Sequence, residues 1–153
     1  IRDSHKGVDY QPLVNDRLVL IVGPEHPWRK KSEITLQELS RERLIVRESG
    51  SGSGKTLENA LRRSDFEIKK LRIAARLGSN EAVHQAVAAG FGCAYVSEFS
   101  IRSSAAQKEV YKVEVEGLSI ERQIWLARLK SRTASPAAEA FVDLLLKSYQ
   151  EGC

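Results

Sequence analysis

Methionine is absent from this sequence, and cysteine occurs only twice, at Cys93 and at the last position, Cys153. Two thiols so placed cannot build the framework of a disulfide-stapled fold, and the reducing cytoplasm is the simpler setting for them. Long apolar runs are missing as well. The longest, Leu18–Val22, is far short of the ~20 residues of a membrane-spanning helix, so no contact with a membrane is expected. The opening "IRDSHKGVDYQPLV" lacks the apolar core of a secretory signal, and nothing in it points to export.

Patterns that carry chemistry are scarce too. His5, His26 and His84 have no metal-ligand spacing to one another or to a cysteine, so neither a metal nor another cofactor is expected. Neither Ser51 nor Ser53 fits G-x-S-x-G, because serines, Ser49 and Ser51, stand two positions before them. Cys93, between Gly92 and Ala94, has the surroundings of a packed thiol and not of an activated nucleophile. With no acid–base pair in view, the chain does not read as an enzyme. Its net charge of +4 and pI near 9.2 would suit an acidic partner, yet the basic residues fall in short groups such as Arg29–Lys31 and Arg62-Arg63. No helix-turn-helix, zinc-finger or stacking-aromatic motif accompanies them, so the chain itself is not expected to read DNA.

What is present is a regular alternation of short apolar runs and helix-period segments in a chain of 42% hydrophobic residues, the pattern of an α/β fold with a buried sheet. Strands are predicted at Arg17–Val22, Leu44–Arg47, Leu71–Leu77, Cys93–Ser97, Val110–Val115 and Gln123–Leu129. Helices are predicted at Thr35–Arg41, at Lys55–Ser64 with Leu57, Ala60 and Leu61 inward, and from Ser79 or Asn80 to a stop at Gly90. A last helix enters at Ser135-Pro136, with Ala137, Phe141, Leu144, Leu145 and Ser148 on its packing face. The aspartates, Asp16 among them, read as loop residues, residues before a strand or members of helices.

The stretch "RESGSGSGKTLENAL", Arg47 to Leu61, imitates a nucleotide-binding loop. That loop needs G-x-x-x-x-G-K-[ST], and counting back from Gly54 puts its first glycine where Ser49 stands. Two readings of the glycines stay open. They could form a tight strand-to-helix turn, or their amides, with the positive end of the helix, could hold an anion. If the helix beginning at Ser79-Asn80 follows a strand parallel to the first, two sets of amides open at one sheet edge and could share a ligand.

Four segments, "VNDRLVLIVGPEHPW", "ITLQELSRERLIVRESGSGSGKTLENAL", "LGSNEAVHQAVAAGFGCAYVS" and "SPAAEAFVDLLL", occur in the order found in the effector-binding domain of LysR-type transcriptional regulators, and together they resemble that family over most of residues 14–147. The resemblance implies a periplasmic-binding-protein-like fold of two α/β lobes joined by two crossing strands, with a small effector in the cleft. It divides this chain into residues 1–46 (lobe one, in part), 47–121 (lobe two) and 122–153 (return to lobe one), with crossings near Ile45–Glu48 and Arg122–Trp125. The family's winged helix-turn-helix, linker helix, and first strand and helix of lobe one precede the segment matching Gly7–Val22, and they do not occur in these 153 residues. We therefore expect part of a longer, cytoplasmic regulator, whose DNA-binding domain is not in this chain.

The resemblance also places residues. Gly50, Ser51, Gly52, Ser53, Ser79 and Asn80 would face the effector, a small metabolite expected to be anionic, with Arg47 and Lys55 as cationic partners. The helix Glu81–Gly90 and strand Gly92–Val96 would meet another subunit of a homodimer or homotetramer, through His84 and Ala88 on the helix face turned from Val83 and Val87. The alternative is a stand-alone solute-binding protein of the same fold.

Overall fold

A computed structural model of the chain describes residues 5–102 and 109–150. Among the described residues there are seven strands: β1 (Val8–Val22), β2 (Glu33–Ile34), β3 (Arg43–Arg47), β4 (Arg72–Leu77), β5 (Cys93–Ser97), β6 (Tyr111–Val115) and β7 (Ile120–Leu129). The helices are α1 (Leu36–Arg41), α2 (Gly52–Arg63), α3 (Asn80–Ala88), α4 (Glu98–Ile101) and α5 (Pro136–Gln150). The sheet order is β2-β6-β1-β5-β3-β4, and β7 pairs with β1. β3 runs parallel to both β4 and β5, whereas β1 is antiparallel to β5 and β6.

The chain forms two compact units, one made of residues 16–122 and the other of 1–15 with 123–153. This division differs from the one the resemblance implied. Residues 16–46 belong with 47–122, and β3, expected as a crossing strand, lies wholly inside the larger unit, between β4 and β5. The strand that passes between units on the N-terminal side is β1. It begins at Val8 and not at Arg17, because the alternation of its first half, interrupted by Pro12, is weaker than that of the apolar second half.

In the larger unit, strand alternation sorts the core onto two sheet faces. Leu18, Leu20 and Val22 of β1, Leu44 and Val46 of β3, and Cys93 and Tyr95 of β5 pack with Leu57, Ala60 and Leu61 of α2. Val19, Ile21, Ile45, Ala94 and Val96 point the other way, onto Val83 and Val87 of α3. Strands covered on both faces are apolar at every position, which is why they read as unbroken runs. Two glycines permit the closest approaches. A Cβ on Gly92 would lie 2.2 Å from the Arg43 carbonyl oxygen, and one on Gly23 would lie 2.4 Å from that of Val87. Beside Gly92 the fully buried Cys93 thiol donates to the Arg43 carbonyl (3.6 Å), and burial pushes its pKa up to about 12.

In the smaller unit, most of the described residues belong to α5 and to the part of β7 from Gln123 onward. α5 is apolar around more than one stripe, and it buries Val142 while leaving Phe141 61% and Leu144 65% exposed. The face expected to pack, which included Phe141 and Leu144, is therefore turned outward in this structure. Leu129 of β7 is exposed as well.

Candidate functional site

The parallel register of β3 with β4, Leu44 opposite Ile73 and Arg47 opposite Leu77, brings the carboxyl ends of both strands to one edge. α2 and α3 start just beyond those ends, so their first-turn amides open on the same edge. The α3 start is capped as its sequence suggests, whereas α2 begins at Gly52, three residues before the predicted Lys55, under a Ser51 cap that sequence reading did not assign. Ser51 Oγ accepts from the Gly54 amide (3.1 Å) and Ser79 Oγ accepts from the Ala82 amide (3.1 Å). Gly50, at φ 93°, makes the turn into α2 in a conformation that favours glycine.

Side chains then tie the two starts to their strands. Arg47, the last residue of β3, donates through Nη1 to Asn80 Oδ1 and through Nη2 to the Gly78 carbonyl (3.3 Å), so one guanidinium links β3 to the beginning of α3. The same group holds Glu48 by Nε (2.8 Å) and Nη2 (2.8 Å). That pairing raises the Arg47 pKa and lowers the Glu48 pKa, in both cases chiefly through the hydrogen bond between them. An anion at this edge would share Arg47 with Glu48. Lys55, in the second turn of α2, is exposed.

Ser53 takes part in a second cluster that sequence reading did not identify. Its Oγ accepts from Arg122 Nη1 (3.1 Å). Arg122 Nε and Nη2 both lie 2.7 Å from Asp16 Oδ2, while Asp16 Oδ1 accepts from Ser97 Oγ (2.8 Å) at the end of β5. Asp16 stands inside β1, 3% exposed, and is neither a loop residue nor a residue before a strand. The signal was a single acid beside the apolar run Leu18–Val22. Its cation lies 106 positions away, which no local pattern reveals.

His84 does not face outward. It is 8% exposed on the buried side of α3 with Val83 and Val87. The reason is helical spacing: residues three apart are only ~60° apart around the axis, so His84 shares a face with Val87. Ala88 is half-buried against the α3 side of the core. The large apolar side chain that this segment exposes is Phe91, at 62%. An open cavity of about 360 Å³, lined by Glu58, Arg62 and Asp65–Lys69, lies toward the far end of α2, away from the capped starts. Among the described residues no group of three or more His, Cys, Asp or Glu could hold a metal, and no helix is long and apolar enough to cross a membrane.

Residues 2–150 match the LysR substrate binding domain. The chain belongs to that family. Among curated relatives it is 36% identical over 136 residues to the HTH-type transcriptional regulator CbbR of Xanthobacter flavus, a match that covers 87% of this chain and 40% of CbbR. It is 32% identical to the RuBisCO operon transcriptional regulator of Allochromatium vinosum, covering 91% of this chain and 45% of the relative. Among solved structures, the regulatory domain of CcmR from Synechocystis PCC6803, in complex with 2-PG, superposes with a TM-score of 0.83 at 30% identity, over 99% of this chain and 72% of that one. The chain thus spans less than half the length of either curated relative. As a LysR substrate binding domain it has the periplasmic-binding-protein-like α/β fold and is a ligand-sensing regulatory domain; its relatives are transcriptional regulators, a non-enzymatic role.

Proposed function

We propose that this chain is the sensory part of a cytoplasmic LysR-type transcription regulator, and that it takes a small anionic metabolite at the edge where α2 and α3 begin. The observation that carries this reading is the parallel placement of β3 and β4 with both helix starts beyond their carboxyl ends, cross-linked by Arg47 and Asn80. Free amides of two helix starts and the nearby cations Arg47 and Lys55 favour an anion over a neutral ligand. Gly50 in the turn and Gly52 and Ser53 in the first turn of α2 let the backbone approach it, and Asn80 contributes an amide that can turn from Arg47 to the ligand. Ser51 and Ser79 act through their caps, by fixing the amides. The names of the relatives point to RuBisCO genes as targets, and CcmR's complex makes 2-PG the first effector to test. The full-length protein acts as a homodimer or homotetramer on DNA through a helix-turn-helix domain, and the relatives named as HTH-type regulators favour this over a stand-alone solute-binding protein.

Calorimetric titration of the intact protein with 2-PG, inorganic phosphate, acetate and a neutral hexose tests the site. Binding of an anion is expected, and binding of the hexose alone would overturn the reading. Asn80→Ala should weaken that binding by about tenfold, as loss of one hydrogen bond to a charged group does. Ser79→Ala should cost ~1 kcal/mol of stability through the lost cap. Association is placed on the α3–β5 segment, with Phe91 and Ala88 at the contact and His84 behind them. Light scattering across a dilution series should show Phe91→Ser weakening the oligomer while His84→Gln leaves its mass unchanged.

A further inference from the structure

Asp16 and Arg122 occupy matching positions in the chain. Asp16 is the first residue of the larger unit on β1 and Arg122 is its last residue on β7. They are joined to each other by two contacts of 2.7 Å to one carboxylate oxygen, and Ser97 of β5 holds the other oxygen. The guanidinium has one further edge, and it faces α2. Nη1 donates to Ser53, and it lies 3.7 Å from where a Cβ on Gly52 would stand. A planar guanidinium is a rigid fork, so a displacement of Ser53 that kept its bond would turn the edge that serves Asp16. The Asp16 side chain is 1% exposed, too little for bulk solvent to take the place of a lost partner. Separating such a pair leaves an uncompensated buried charge, which makes the three groups move together or not at all.

We infer that Arg122 is a positioning residue that couples the first turn of α2 to the two strand segments by which the chain enters and leaves the larger unit. The coupling is a property of the protein without ligand. Its use in signalling rests on the proposed effector role of the loop: a ligand that shifts the first turn of α2 changes, through Arg122, how β1 and β7 are held at Asp16 and Arg122.

Hydrogen–deuterium exchange of the intact, ligand-free protein tests the coupling, read in peptides covering 16–20 and 118–122. Ser53→Ala removes the α2 end of the link and should speed exchange in both peptides by about tenfold, the effect of one hydrogen bond to a charged group. Thr35→Ala removes the cap of α1, which serves the Glu38 amide and not Arg122, for a comparable loss of stability, and it should leave both peptides at the wild-type rate. In an Arg122→Lys background Ser53→Ala should add nothing. Wild-type exchange in Ser53→Ala, or equal acceleration by Thr35→Ala, would overturn the inference. Those two variants decide the question even if Arg122→Lys does not fold. A further arm adds 2-PG to the wild type and should slow exchange in the loop and in both strand peptides. If 2-PG leaves the first turn of α2 unchanged the effector reading fails for that ligand, whereas the comparison of Ser53 with Thr35 stands.

Discussion

At the scale of single residues, two histidines give the protein an acid sensitivity whose sign follows from their surroundings. His84 is buried beside Val83 and Val87, its Nε2 has no hydrogen-bond partner among the described residues, and desolvation lowers its pKa against the opposing pull of Glu81 and Glu109. His26 is also lowered by desolvation, although Glu42 opposes it, and its Nδ1 accepts from the Trp28 amide (3.1 Å), which requires an unprotonated nitrogen. For both, the unfolded chain binds a proton more readily than the folded one, so stability is full above the unfolded pKa of about 6.5 and declines as pH falls below it. Urea denaturation between pH 7.5 and 5.5 should show that decline, and His84→Gln should make it shallower while His26 preserves the remainder. An unchanged pH dependence in His84→Gln would show that this ring is hydrated. Residues like these mark the limit of local reading. Caps are local, and Ser79 was legible because it bonds an amide three positions away, whereas Ser51 was not, because the glycines after it read as a loop and the helix as starting at Lys55. Asp16 and Arg122 were not, because the meaning of each depends on a partner in a distant part of the chain.

At the scale of elements, the longer strands and helices of the larger unit were legible because both periodicities are strong there, whereas β2 and α4, of two and four residues, are too short to show a period and were not predicted. β3 and β5 are apolar at successive positions, and α2 repeats Leu57, Ala60 and Leu61 along one face. Where a segment is apolar on several sides, as α5 is, its composition identifies a helix but not the side that packs, and Phe141 and Leu144 were assigned inward on that basis. The joint between β3 and β5 is the element contact most exposed to mutation. Gly92 has φ 154° and no room for a Cβ, since the atom in the way is the backbone oxygen of Arg43, which cannot swing aside as a side chain would. Gly92→Ala should therefore cost about 2–4 kcal/mol, combining overpacking with backbone strain. Gly117, at φ 70° with nothing within 4 Å of a built Cβ, isolates the conformational part. Gly117→Ala should cost only ~1 kcal/mol. Equal losses in the two variants, measured by urea denaturation, would show that β3 and β5 can part to admit the methyl.

At the scale of the whole molecule, the resemblance and the structure agree on the α/β class and diverge on where the chain divides. The order of strands along the sequence does not state which strand sits in the middle of a sheet, and β3 pairs on both sides inside residues 16–122. The same arrangement makes Cys93 useful. Its thiol is fully buried in the middle of that sheet, bonded to the Arg43 carbonyl, and holds its proton until about pH 12. Alkylating reagents attack the thiolate, so the folded protein should leave Cys93 unmodified at neutral pH even when reagent is in large excess. Modification requires β5 to come out of the sheet, and in a Cys153→Ser variant each labelled molecule would record one opening event. A mass spectrum taken at intervals in iodoacetamide would then serve as a stopwatch for opening of the larger unit, with no dye, no tag and no added probe residue.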